Sequence, residues 1–470
     1  MRVVIDGWAW LPLEEMEASA VEFMKKKLTI TPKKTSDFDK EKPEPIELFS
    51  LEREGLIGVP KEFFLGSAKQ AHDIVSEESN GFPISLESNI SQTGDFEEQG
   101  AATEAFLKHI EETGRGGILH AQPAWGKTAF GLELISRLGM TALVVVNRDF
   151  LMKQWMKRIE QFLPGAKVGI AQQDTCDYEG KDIVIAMVHS ICKREYDQKF
   201  YDYFGTVIFD EVHRVPAKTW SAVPPMFSAG VRIGLSATPR RKDGMDWVFR
   251  WHIGDIIFKA TSNTNTPKLR RIFTGWTLPP KTRDKKLKMP TIIKAMVQNV
   301  GRNQQIVEEI RKATKSKAKR KILVLSDRLA HLETLKKMLI TDEEGNVLAD
   351  APTCDFYVGG RKDEELDKAE EAQVVFASFQ MAFEALDISA LDVVLFTTPK
   401  GDVEQAVGRV QRWCRPDPKD PEKCKRMCSW RCEGCEGKPQ PIVCDFMDDD
   451  DQCRGRSGAR MRFYRKNGLI

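Results

Sequence analysis

The run Gln122-Pro123-Ala124-Trp125-Gly126-Lys127-Thr128 holds the residue types that a phosphate-binding loop needs. It lies between a short apolar run, Gly117-Ile118-Leu119-His120, and a helix-like run over 129–138. Strand, tight turn and helix in that order turn backbone N–H groups and a helix N-terminus toward an anion. Lys127 would then reach the β- and γ-phosphates, and the Thr128 hydroxyl would hold Mg²⁺. The full motif spacing wants a Gly where Ala121 stands, so this run alone also fits a plain turn into a helix. A second run narrows the choice. Val207-Ile208-Phe209 reads as a buried strand and ends in Asp210-Glu211-Val212-His213. Hydrated Mg²⁺ needs few protein ligands, so one carboxylate at a strand end can hold it. Asp210 suits that task, and Glu211 suits polarising an attacking water. A third strand, from Val231 to Leu235, runs into Ser236-Ala237-Thr238-Pro239. Three such elements in this order leave a solvated acidic turn as a poor account of 210–213.

With these motifs the chain resembles superfamily 2 DNA helicases, in the XPB-like branch that includes phage UvsW-type and poxvirus transcript-release helicases. Further matches are Gln405-Ala406-Val407-Gly408-Arg409-Val410-Gln411-Arg412 and Glu384-Ala385-Leu386-Asp387. Another is Arg240-Arg241-Lys242-Asp243, which is similar to an Arg-Glu-Asp motif with Lys242 in place of Glu. The likeness takes in roughly residues 95–413 and 440–470. It implies an α/β fold of two RecA-like parallel-sheet lobes and an ATP hydrolase that moves on nucleic acid. It makes Lys127, Asp210, Glu211, Gln405, Arg409 and Arg412 catalytic. Two arginines can neutralise the charge of a phosphoryl transition state. Gln99 would read the adenine edge, since an amide donates and accepts at once. Residues 122–128 and Asp387 would complete the nucleotide site, with Thr128 and Asp210 on Mg²⁺. His213, Ser236 and Thr238 would couple it to nucleic acid. Arg148, Gln154, Ser190, Arg241, Arg328 and Ser378 would meet the strand; such contacts position a backbone and carry no sequence information.

Two departures stand out. The family has Gly at positions 124 and 385, and this chain has Ala. If Ala124 must adopt the left-handed region, the cost is about 1–2 kcal/mol.

The elements that must position these residues follow a βα rhythm. Thr141 to Val146, Asp182 to Val188, Lys321 to Ser326, Asp355 to Val358, Val374 to Ala377 and Val393 to Phe396 read as parallel strands. The expected boundaries are an N-terminal accessory domain over 1–92, a first lobe over 93–265, a linker over 266–300 and a second lobe over 301–470. Residues 31–45 hold three prolines among many charges, which suggests an exposed loop. The run 311–321 holds seven Lys or Arg, a phosphate-neutralising surface or a solvated helix end.

Residues 414–440 form an insertion in the second lobe. Cys424, Cys428, Cys432 and Cys435 lie there, four thiols in twelve residues too polar to build their own core. That composition suits tetrahedral Zn²⁺, although the spacing is not the common double C-x-x-C, and free thiols in a loop are the alternative. Net charge is only +2, so a nucleic-acid surface must be local. No apolar run approaches the roughly 20 residues of a membrane span, and no export pattern opens the chain, so the expectation is an intracellular protein, in host cytosol or nucleus if viral. The expected partners are DNA, single-stranded, forked or branched, with replication, recombination or transcription proteins. Expected activity is 3′-to-5′ movement with unwinding of forked DNA. The alternatives are a transcription-complex remodelling or termination factor and a hydrolysis-weak, nucleotide-sensing DNA clamp.

Overall fold

The computed structural model describes residues 1–31, 44–67, 73–122, 125–212, 222–237, 245–261, 266–279, 287–318, 320–384, 386, 388, 390–411 and 439–470. The chain divides into two compact units, Met1–Gln122 with Gly126–Ser262, and Pro123–Trp125 with Asn263–Ile470. Both are mixed α/β structures built on parallel strands.

Apolar, β-branched runs make the central strands of unit one. Ala142–Val146 is buried along its whole length, as a parallel strand covered on both faces must be. The sheet order is Thr175–Cys176, Val168–Gln172, Ile183–Met187, Ala142–Val146, Thr206–Asp210, Val231–Ser236, Gly117–His120 and Ile256–Lys259. Only the first pair is antiparallel. Three neighbouring strands in this order are the ones that carry the phosphate loop, the acidic pair and Ser236. Their register sets Asp210 opposite Leu235 and Ser236 opposite His120.

Leu56–Pro60, Trp8–Pro12, Arg2–Ile5 and Asp73–Ser76 form a small sheet. Its Val3, Ile5, Leu11, Ile57 and Val59 join one apolar core with Leu143, Val145, Val207 and Phe209. Buried polar groups add to the tie. Arg232, fully buried, donates to Gly7 O at 2.9 Å, Phe227 O at 2.9 Å and His252 O at 3.1 Å. Lys61 pairs with Glu78 at 2.6 Å and donates to Gly230 O at 2.8 Å. The two buried charges satisfy backbone carbonyls that the junction would otherwise strand.

Unit two holds a parallel sheet in the order Lys268–Phe273, Ile442–Met447, Val393–Phe396, Ile322–Ser326, Val374–Ser378 and Cys354–Tyr357. Lys268–Phe273 is the edge strand, and helix Met289–Val297 packs through Ile292 and Met296. Two buried ion pairs brace the sheet: Arg302 with Asp448 and Arg460 with Asp445. Among the described residues, no helix is long and apolar enough to cross a membrane.

Candidate active site

Strand Gly117–His120 ends at Ala121, whose N–H donates to Ser236 O at 3.0 Å and so ties two motif strands together. The loop closes at Gly126, which takes φ +103° and caps helix Lys127–Leu138 without a side-chain hydrogen bond. The first N–H groups of that helix are left for another acceptor. Glycine is required here. A Cβ on Gly126 would stand 2.5 Å from the Gln99 amide nitrogen, and few side chains adopt that φ. Gln99, on helix Glu97–Thr113, is buried and is thereby set beside the loop.

Lys127 Nζ donates to Ala121 O at 3.2 Å and lies 3.7 Å from Glu211 Oε1. Asp210, at the end of its strand, is 6% exposed. Burial first, then the charge of Glu211, pushes its carboxyl well above the usual carboxylate range. Two carboxylates and one ammonium in a poorly solvated place leave an excess negative charge. That donor set fits a divalent cation, which would restore Asp210 to its charged form. The Trp155 indole N–H donates to Asp210 Oδ2 at 2.9 Å. Glu211 itself has φ +51°, a conformation that a non-glycine residue pays for and that gathers at functional turns. The turn it makes is held by Val212 N–H donating to Leu235 O at 3.2 Å.

The structure thus brings Gln99, Gly126, Lys127, Asp210 and Glu211 to the carboxyl ends of neighbouring parallel strands, the place where open α/β sheets bind ligands. Gln122, Trp125 and Thr128 are half-buried along the same loop and helix start, and Ser236 is buried at its strand end. Pro123, Ala124, His213, Thr238 and Arg241 lie outside the described residues.

Further expected residues lie on other elements of the two units. Arg148 is exposed at the head of helix Asp149–Phe162, and Gln154 is half-buried on it. Ser190 stands in the first turn of helix Val188–Lys193 rather than at a strand end, and accepts from Gln173 N–H at 2.9 Å. In unit two, Arg328 is exposed at the head of helix Leu329–Ile340 and donates to Pro290 O at 3.2 Å. Ser378 ends its strand and accepts from Met381 N–H at 3.3 Å. Arg409 donates to Ala382 O at 3.0 Å and Phe383 O at 2.8 Å, which links helix Glu404–Gln411 to helix Phe379–Glu384. Gln405 Oε1 is buried with no hydrogen-bond partner in the described structure. Ala385, Asp387, Arg412, Cys424, Cys428, Cys432 and Cys435 lie outside the described residues, and no cluster of metal-ligating side chains occurs among those described.

Trp155 is a site residue that sequence reasoning missed. Its partner is 55 positions away, and spacing alone carries no signal across that separation.

Residues 94–241 match the family model described as type III restriction enzyme, res subunit. Over 477 aligned residues the chain is 29% identical to L396 of Acanthamoeba polyphaga mimivirus, named as a candidate ATP-dependent RNA helicase. That match takes in 96% of this chain and 82% of the viral protein. Over 166 residues it is 30% identical to the DNA 3′-5′ translocase XPB2 of Sulfurisphaera tokodaii, 35% of each chain. The crystal structure of T4 UvsW aligns over 99% of this chain and 98% of its own, at 16% identity and a TM-score of 0.39.

Proposed function

We propose that this chain, which matches the res-subunit family model over 94–241 and is similar to a mimivirus helicase and an XPB translocase, couples ATP hydrolysis to movement on DNA. The observation that carries the reading is the meeting of Lys127, Asp210 and Glu211 at the ends of neighbouring parallel strands. Bound MgATP supplies the phosphoryl group and a metal charge. Lys127 and the free N–H groups of its helix bind the phosphates, and Thr128 and Asp210 hold the metal. Glu211 orients the attacking water and accepts its proton. Gln99 holds the loop glycine in place and reads the base. Arg409 and Arg412 neutralise the transferred group, with Gln405 beside them in sequence, and Asp387 completes the nucleotide contacts. His213, Ser236 and Thr238 couple the site to nucleic acid.

On this reading, Arg148, Gln154, Ser190, Arg241, Arg328 and Ser378 hold the strand, movement runs 3′-to-5′, and forked or branched DNA is the target. Residues 93–265 and 301–470 serve as the two motor lobes. The cysteine insertion over 414–440 holds Zn²⁺. The XPB-like cluster after Ser236-Ala237 supports DNA, as does the named activity of XPB2. The name of the mimivirus relative favours RNA as a second reading. The deciding experiment is ATP turnover and strand displacement on forked DNA and on RNA of the same sequence, each with either polarity of overhang. DNA-selective stimulation with a 3′ overhang is expected. Stimulation by RNA alone would replace DNA with RNA, and none by either would remove the motor reading.

A further inference from the structure

The Trp155 indole stands where three elements of unit one converge. Helix Asp149–Phe162 turns Met152, Trp155 and Ile159 inward at helical spacing, all three buried. Helix Lys127–Leu138, which begins at the phosphate loop, presents Gly131 to the indole. A Cβ there would stand 3.0 Å from Trp155 Cη2, so the missing side chain makes room for the ring. Strand Thr206–Asp210 supplies the acceptor, Asp210 Oδ2, at 2.9 Å from Nε1. A buried indole N–H must find an acceptor, and leucine or phenylalanine would fill the same space without that demand. Here the donor is aimed at the one carboxylate that the motor reading assigns to the metal.

We propose that Trp155 is a positioning residue for the metal carboxylate. Its N–H occupies Oδ2 and fixes the rotation of the Asp210 carboxylate, which would thereby meet hydrated Mg²⁺ in one set orientation. Mg²⁺ tolerates little departure from octahedral geometry, and partners of ligating carboxylates are what hold such geometry. The same ring touches the phosphate-loop helix, so one side chain sets the distance between the phosphate cradle and the acid that serves it.

The inference rests on the ATP-site reading, and its test separates the two. Trp155 is replaced by phenylalanine and, separately, by 3-benzothienylalanine, which keeps the bicyclic shape and puts sulfur in place of N–H. The readouts are half-saturating Mg²⁺ for ATP turnover, Mn²⁺ bound by the protein–ADP complex in EPR titration, and melting temperature. Both variants are expected to need roughly tenfold more metal, the scale of a hydrogen bond to a charged group. The benzothienyl variant should still melt cooperatively, lowered by no more than the one lost hydrogen bond accounts for, and its KM for ATP at saturating Mg²⁺ should not move. In wild type, the Trp155 indole ¹H–¹⁵N resonance should shift on Asp210→Asn. A benzothienyl variant with wild-type metal dependence, or an indole resonance blind to Asp210→Asn, would overturn the proposal while leaving the ATP site standing. A wild-type chain that binds no Mn·ADP would overturn both.

Discussion

Gly126→Ala is the most informative small change in the phosphate loop. The substituted residue would keep φ +103°, a conformation that costs an L-residue about 1–2 kcal/mol. Its methyl would also stand 2.5 Å from Gln99 Nε2. That amide ends a flexible side chain, but the chain is only 7% exposed and has little space to retreat into, so overpacking adds about 1–3 kcal/mol. Together the loss is about 2–5 kcal/mol, read as weaker binding of a fluorescent ATP analogue and a lower urea midpoint. The two parts separate in a double-mutant cycle. Gln99→Ala removes the steric overlap and leaves the backbone strain, so the cycle should show a favourable coupling of about 1–3 kcal/mol with about 1–2 kcal/mol unrecovered. A Gly126→Ala protein with wild-type nucleotide affinity and midpoint, or additive single changes, would refute the placing of Gln99 against the loop.

Other outcomes follow from the same structure. Burial first, and Arg232 or Arg302 next, bring His252 and His331 each down to about 3. Between about pH 3 and 6.5 the unfolded chain therefore binds protons that the folded chain refuses, so stability falls as pH drops below about 6.5. The limiting slope is about 1.4 kcal/mol per pH unit for each histidine, and His252→Phe should flatten the urea-midpoint profile. Arg302 meets Asp448 through two hydrogen bonds, at 2.7 and 3.1 Å, with both side chains buried. Arg302→Met should cost about 3–5 kcal/mol by stranding the carboxylate, and Arg302→Met with Asp448→Leu should recover much of it. A single change worth under about 1 kcal/mol would contradict that account. Metal analysis should find one zinc per chain, lost in Cys428→Ser with Cys432→Ser; a metal-free wild type would end the zinc reading.

The strands and the strand-end residues were legible because their signals are local. Buried parallel strands advertise themselves as short apolar runs; Asp210 and Ser236 each follow such a run directly, and Lys127 opens the helix that comes one short loop after another. What stayed hidden depends on contacts between distant positions. Nothing near Arg232 in sequence indicates that its guanidinium reaches Gly7 O, or that Lys61 donates to Gly230 O. Those buried charges tie the first strands of the chain to the core of the first unit. Lys268–Phe273 gives a weak strand signal because its three charged residues, Lys268, Arg270 and Arg271, break the apolar pattern. The left-handed turn at Glu211 was invisible because no glycine marks it.

The most direct measurement is single-turnover ATP hydrolysis by the wild-type chain and by Glu211→Gln, with MgATP binding followed in parallel. Glu211 stands beside Lys127 at 3.7 Å, and the amide keeps its shape while losing the base. The predicted result is MgATP bound by both proteins, with hydrolysis slowed roughly 10²–10⁴-fold in the variant. Equal hydrolysis rates would contradict the assignment of this carboxylate and, with it, the reading of these strand ends as the motor's catalytic centre.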